Sequence, residues 1–266
     1  MLIDTHCHLN LMVKKSFDTP LQENDYQTAQ NIIEQARKKN ISKIINVGTN
    51  IIESINCIEL AKRFSDVYAS IGIHPNDLTA YWLTDFIQLK KLLATEQKIV
   101  AIGECGIDLH YPDSNLARQK DAFKAQIELA LEHNLALVIH SRDAAQETLD
   151  CLEEFKHNNL RGTMHCFSYD LEFAMRSIEL GFVLGIGGTM TYPKNNTLRQ
   201  VVQSVGLEHI ILETDAPFLP IQSMRGKQNS PVYIQDIAQF IGNMLEEPWE
   251  VVAERTTDNA QRIFNF

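Results

Sequence analysis

The sequence predicts an α/β protein built as a single (β/α)8 TIM barrel, with a metal site at the C-terminal end of its strands. Three observations predict it. Eight short apolar runs alternate with longer stretches of helical periodicity. The length, 266 residues, matches the roughly 250 usual for one such barrel. Polar residues collect at the C-terminal ends of nearly all the runs, as a barrel requires. A doubly wound open sheet would gather them around one switch point.

Strands are predicted at residues 2–8, 43–47, 67–74, 99–108, 136–142, 162–167, 182–187 and 209–215. Each run ends in small or polar residues. Helices are predicted between them at 28–39, 52–64, 82–94, 119–133, 144–155, 171–180 and 196–205. The last helix, 233–245, is followed by a helical tail at 249–264. The longest irregular stretch, 217–231, reads as an active-site lid or substrate loop. Segments 11–27 and 189–196 carry no readable role. No charge run, low-complexity tract or Pro/Gly-rich linker divides the chain, so residues 1–266 are expected to form one domain.

Composition is that of a globular protein with a large core, 44% hydrophobic and 22% charged. The net charge of −10 argues against broad electrostatic binding of nucleic acid. It leaves room for a phosphate substrate, because bound divalent cations reverse the local field. The five cysteines, Cys7, Cys57, Cys105, Cys151 and Cys166, form no CxxC pair, which points to a reducing compartment. No basic segment precedes the apolar run at Leu2, and no run approaches the roughly 20 apolar residues of a membrane span. A cytoplasmic location and no membrane partner are expected. A monomer is expected because no long apolar helix face stands out.

The chemistry begins in the first strand. Alternate strand residues share a face, so Asp4, His6 and His8 are expected to point the same way. Two imidazoles so spaced can grip one divalent cation, although short H-x-H matches also arise by chance. On the fourth strand Glu104 and Asp108 share a parity, and Glu104 could bridge two metals with its two oxygens. Alone it could equally be a carboxylate solvated by a loop. Gly106 would allow close approach of a ligand. His140 and His165 end the fifth and sixth strands. A lone histidine there is more often a satisfied core or edge residue, but two on successive strands, beside the first pair and Glu104, outweigh that reading. Asp215 ends the eighth strand and could both ligate metal and take a proton. Such ligands suit Zn2+ or Mn2+, and Mg2+ if water fills much of its shell.

Other residues are read around this set. His74 could contact phosphate, support a ligand, or cap its loop by a hydrogen bond. Arg142 shares the face of His140 and could clamp phosphate or pair with a carboxylate. Arg225, Lys227 and Asn229 could reach a substrate backbone or be solvated surface. His110 and Tyr111 are placed at the pocket, and His133, His157 and His209 are read as structural. Cys7, Cys105 and Cys166 each follow a proposed ligand, so strand parity sends them toward the helices as packing residues.

Seven ordered motifs carry a resemblance. They are Asp4-Thr5-His6-Cys7-His8-Leu9, Gly72-Ile73-His74-Pro75, Gly103-Glu104-Cys105-Gly106-Ile107-Asp108, His140-Ser141-Arg142-Asp143-Ala144, His165-Cys166-Phe167-Ser168, Glu213-Thr214-Asp215-Ala216-Pro217 and Arg225-Gly226-Lys227-x-Asn229-x-Pro231. Running the whole length, they resemble the TatD family of metal-dependent deoxyribonucleases, within the amidohydrolase-like superfamily. The resemblance implies metal ligands at His6, His8, Glu104, His140, His165 and Asp215, and hydrolysis of DNA phosphodiesters, with exonuclease action expected. Two divalent ions (Zn, Mg or Mn) are expected: one on His6, His8 and Asp215, one on His140 and His165, with Glu104 bridging. Asp215 and Glu104 are the expected catalytic residues, and His74, Arg142 and Arg225 the substrate contacts. The rival is amide or ester hydrolysis on the same barrel, including deacylation of aminoacyl-RNA. Convergent cations at the mouth would favour phosphate; an acyl pocket would favour the rival. A non-catalytic metal-dependent scaffold is the third reading.

Overall fold

The computed structural model describes residues 1–14, 16–94 and 98–266. Among them, eight strands pair in parallel and in sequence order: β1 (Leu2–Cys7), β2 (Ile41–Val47), β3 (Val67–Ile71), β4 (Ile99–Asp108), β5 (Ala136–Arg142), β6 (Gly162–Met164), β7 (Phe182–Ile186) and β8 (Ile210–Leu212). The ring is joined between β8 and β1 by side chains and by a short bridge. Thr5 Oγ1 donates to Leu212 O at 2.8 Å, and the Asp215 N–H donates to His6 O at 2.8 Å. Cys7 and Ala216 form an isolated parallel bridge. This is the nearly closed TIM barrel that the alternating pattern predicts.

Helices alternate with the strands: α1 (Leu9–Met12), α2 (Glu23–Lys38), α3 (Ile51–Arg63), α4 (Trp82–Leu93), α5 (Leu116–Glu132), α6 (Ala145–Glu153), α7 (Leu171–Glu179), α8 (Asn196–Val205), α9 (Ile234–Leu245) and α10 (Trp249–Phe264). α2 begins five residues before the predicted start at 28. Its first turn is polar and held by a capping box between Gln22 and Asp25, so apolar periodicity starts a turn late. Strands predicted to reach 74, 167 and 215 stop at Ile71, Met164 and Leu212. Their polar tails continue as loops, where Cys166 (φ 47°) and Asp215 (φ 57°) take left-handed backbone.

The core has two layers. Leu2, Ile44, Ile102, Cys105, Ile139 and Leu212 belong to the shell between strands and helices. Ile3, Ile45, Val47, Ala101, Val138, Val183 and Ile211 fill the barrel interior. α10 packs Ile263 and Phe264 against that inner cluster, at the end where the strands begin. Register slips occur in β1 between Asp4 and Cys7 and in β4 between Ile102 and Cys105. Each slip flips side-chain parity, so Leu2 and Cys7, five residues apart, both face the helices. Among the described residues no helix is long and apolar enough to cross a membrane.

Candidate metal centre

The strand ends bring all six predicted ligands together. Glu104 lies at the middle, 3% exposed, with its two oxygens facing different groups. Oε2 is 3.5 Å from His6 Nε2 and 3.6 Å from His8 Nε2. Oε1 is 2.9 Å from His140 Nδ1 and 3.5 Å from both His165 Nε2 and His74 Nε2. Asp215 Oδ1 lies 3.7 Å from His6 Nε2 and 3.4 Å from His8 Nε2. Left-handed backbone at Asp215 turns its carboxylate back over the barrel mouth. Three trios bring their nitrogen and oxygen atoms within 4.8 Å of one another: His6, His165 and Asp215; His6, His8 and Glu104; His74, Glu104 and His140.

Outer partners decide which imidazole nitrogen is a donor. A carbonyl or carboxylate can only accept, so a ring nitrogen facing one carries its proton. His8 Nδ1 donates to Val47 O at 2.8 Å, and His165 Nδ1 donates to Glu213 Oε1 at 3.1 Å. Their Nε2 atoms are therefore the ones left to ligate. His140 stands between two carboxylates, with Nε2 3.0 Å from Asp108 Oδ2 and Nδ1 2.9 Å from Glu104 Oε1; with the proton on Nε2, Nδ1 is the nitrogen turned to the cup. His74 differs. Its Nδ1 accepts the Asn76 N–H at 3.1 Å, so in the neutral ring Nε2 bears the proton. His74 thus offers the site a hydrogen-bond donor and not a lone pair.

The electrostatics fit a bound cation. Burial works against ionised Glu104, yet His165, His74 and His140 outweigh it and hold the carboxyl well below its usual range. Asp215 is lowered in the same way, against burial, chiefly by His8. For His165 burial opposes charge, but Glu213 and Glu104 push the imidazole up to about 10. His8 and His140 are raised, against burial, by Asp215 and by Asp108 respectively. His6 is lowered, by burial and then by His165, whose ring stacks on it at 3.6 Å. His6 Nε2 and His8 Nε2 sit 3.1 Å apart, so a proton or a cation must lie between their lone pairs. Converging imidazole lone pairs and carboxylates in a buried cup are a suitable donor set for divalent ions.

Beside this cup lies a cavity of ≈ 610 Å³ that shares His140, His165 and Asp215 with it. Arg142, Lys194, Tyr192 and Asn195 line its far side. Arg225 stacks over the Tyr192 ring, 4.9 Å from its centroid, at the rim.

A profile of TatD related DNases matches residues 3–265. The chain belongs to the TatD family. It is 36% identical over 264 residues to the uncharacterized metal-dependent hydrolase YabD of Bacillus subtilis, covering 99% of both chains. It is 30% identical over 241 residues to the 3'-5' ssDNA/RNA exonuclease TatD of Pantoea ananatis, covering 88% of this chain and 92% of that one. The crystal structure of YjjV, a TatD homologue from Escherichia coli, superposes with a TM-score of 0.90 at 28% identity, covering 100% of this chain and 98% of that one. The protein is a metal-dependent hydrolase of this family.

Within this TatD barrel several expectations change. Asp4 does not join the cup: its carboxylate accepts from Thr214 N–H at 2.9 Å and Thr214 Oγ1 at 2.6 Å, tying β1 to β8. Gly106 makes room for protein and not for ligand, since a Cβ there would lie 2.0 Å from His140 O. Cys7 and Cys105 pack outward as expected, but Cys166 lines the cavity, because β6 has ended and strand parity no longer holds. Asn229 is 2% exposed and donates to Thr214 O at 2.7 Å and Phe218 O at 2.6 Å, so it braces the loop after β8 and does not reach out. Lys227 is exposed. His110 bonds Asp143, and Tyr111 lines a separate cavity with Asn76 and Arg118. His133 and His157 lie exposed at helix ends, and His209 precedes β8, all away from the cup. Tyr192, Lys194 and Asn195 fall in the segment 189–196 that carried no readable role; no local pattern marks them, since the cavity assembles from four separate chain segments, at the ends of β5, β6, β7 and β8.

Proposed function

We propose that residues 1–266 act as one hydrolase barrel that cleaves DNA phosphodiester bonds with two divalent ions (Zn, Mg or Mn). His6, His8 and Asp215 would hold one ion, His140 and His165 the other, and the divided oxygens of Glu104 suit the bridge. Such ions, when bound, would supply an acidified water and counter-charge for a phosphate. Asp215 lines the cavity as well as the cup, which supports a role for it in accepting a proton from the attacking water. The Asn76 bond on His74 Nδ1 supports a role for Nε2–H as a donor to a phosphate oxygen. Arg142 and Lys194 neutralise the flanking backbone, and Arg225 extends that path along the rim.

The observation that carries this reading is the cavity. In a chain of net charge −10, two cations line the ≈ 610 Å³ cavity that shares His140, His165 and Asp215 with the ligand cluster. A small amide or ester has no use for them, so they weigh against that reading; an aminoacyl-RNA also carries phosphates and is separated from DNA by the digestion below. The Pantoea relative, named for 3'-5' action on ssDNA and RNA, supports an exonuclease on single strands. The test is digestion of end-labelled single-stranded DNA by metal-reconstituted protein. Stepwise shortening is expected, abolished by chelator and reduced more than about 100-fold in Glu104→Ala and Asp215→Ala. Protein shown to hold Mg2+, Mn2+ or Zn2+ that leaves DNA intact would sink the nuclease assignment.

A further inference from the structure

Behind the ligand cluster, Glu213 has no part in the chemistry above. It is completely buried, one residue past β8. Its Oε1 accepts two hydrogen bonds, from His165 Nδ1 at 3.1 Å and from the Cys166 N–H at 2.6 Å. Its Oε2 is buried with no hydrogen-bond partner among the described residues. The wall against Oε2 is Gly185 of β7: a Cβ built there would stand 2.2 Å from Oε2 and 2.8 Å from Cδ. The Gly185 backbone is not in the left-handed region, so no turn requires glycine there. What requires it is the carboxylate. A buried carboxylate with one unsatisfied oxygen costs stability, and an apolar side chain in that slot would not. The arrangement makes sense from the far side of the ring, where His165 Nε2 faces Glu104.

We infer that Glu213 is the positioning residue that makes His165 a metal ligand, and that Gly185 is glycine in order to seat it. The inference rests on the metal-centre reading, not on the identity of the substrate. The carboxylate keeps the proton on Nδ1, leaves Nε2 bare and enriches the ring as a donor. Through the Cys166 N–H it also holds the main chain just past the ligand, where φ is 47°. One side chain therefore fixes both the ring and the backbone of His165. The other histidines have partners of their own, Val47 O for His8 and Asp108 for His140. Losing Glu213 should accordingly weaken the ion position built on His165 and spare the one built on His6, His8 and Asp215.

Three variants test this by Mn2+ titration calorimetry on chelator-stripped protein, with circular dichroism of the stripped form as the folding control. Glu213→Gln keeps the shape and an acceptor but drops the charge. Glu213→Ala removes both. Gly185→Ala leaves every acid in the sequence and puts a methyl where Oε2 lies. All three are expected to lose 10–100-fold in affinity at one class of site, with the other class unchanged. Any hydrolysis they lose should return as Mn2+ is raised, which Glu104→Ala should not allow. Should Gly185→Ala fail to fold, the near-isosteric Glu213→Gln decides. Wild-type affinity at both classes in Glu213→Gln, or equal weakening of both, overturns the inference, as does wild-type protein that binds no metal. Wild type that binds two ions but leaves DNA intact overturns only the nuclease reading.

Discussion

At His74 one hydrogen bond separates two chemistries. The ring lies as close to Glu104 Oε1 as His165 does, 3.5 Å, and distance alone would make it a ligand. The Asn76 N–H on its Nδ1 makes it a donor instead. His74→Ala should therefore keep its full complement of metal, measured by elemental analysis, while kcat/KM for DNA falls roughly 10–100-fold, the loss of a donor to a charged oxygen. Loss of an ion would show that His74 is a ligand after all. The H-x-H spacing of His6 and His8 and the carboxylates of Glu104 and Asp215 were legible as candidates from residue type and strand-end position. Tautomers at His8, His140 and His165 were not, because they depend on Val47, Asp108 and Glu213, which reach the rings from other strands and loops; at His74 the partner is Asn76, two residues on, the loop-capping bond that the sequence offered as one reading.

At the scale of elements, two braces hold the mouth. The first is a buried network behind β1. Lys14 Nζ donates to Glu53 Oε1 at 2.6 Å, and Asn10, Asn56 and the Asp18 N–H donate to the same carboxylate. Burial pushes Glu53 up, but Lys14 and these donors outweigh it and hold the carboxyl below its usual value. A depressed folded value means the stabilisation is present above the ordinary glutamate range and is lost as pH falls through the lowered value. The Asp18 amide resonance should shift only in acid below the ordinary glutamate range, and should not in Glu53→Gln. An Asp18 amide indifferent to acid would remove Glu53 from the network. The second brace is Asn229. Asn229→Ala deletes its bonds to Thr214 O and Phe218 O and should cost about 1–3 kcal/mol, with faster proteolysis inside 217–231 and weaker activity. Lys227→Ala, on the exposed side of that loop, should leave melting and proteolysis near wild type. Periodicity marked 217–231 as a functional loop but could not tell its inward amide from its outward cations.

At the scale of the molecule, the barrel's stability and its metal centre are coupled. The ligands come from β1, β4, β5 and the loops past β1, β6 and β8, so a bound ion ties together elements far apart in sequence. Each ion held at a hundred times its Kd should add about 2.7 kcal/mol to unfolding. Chelation should lower Tm by several degrees in scanning calorimetry, and Glu104→Ala should show little of this response. A wild-type Tm indifferent to chelator would mean that the cup holds no ion in solution.

Read by itself, the amino-acid sequence determined the order of strands and helices and the residues at the barrel mouth. Apolar period sets the elements, and a parallel barrel must gather its strand ends at one face. Tertiary structure alone decided where those residues point. Slips in β1 and β4 reverse parity, so Asp4 leaves the cup while Glu104 enters it. Left-handed backbone at Cys166 and Asp215 redirects side chains past the strands, where period-two reasoning ends. The cavity that joins Arg142 to Lys194 forms because parallel pairing in sequence order sets the loops past β5 and β7 on either side of β6, a proximity that no local pattern encodes.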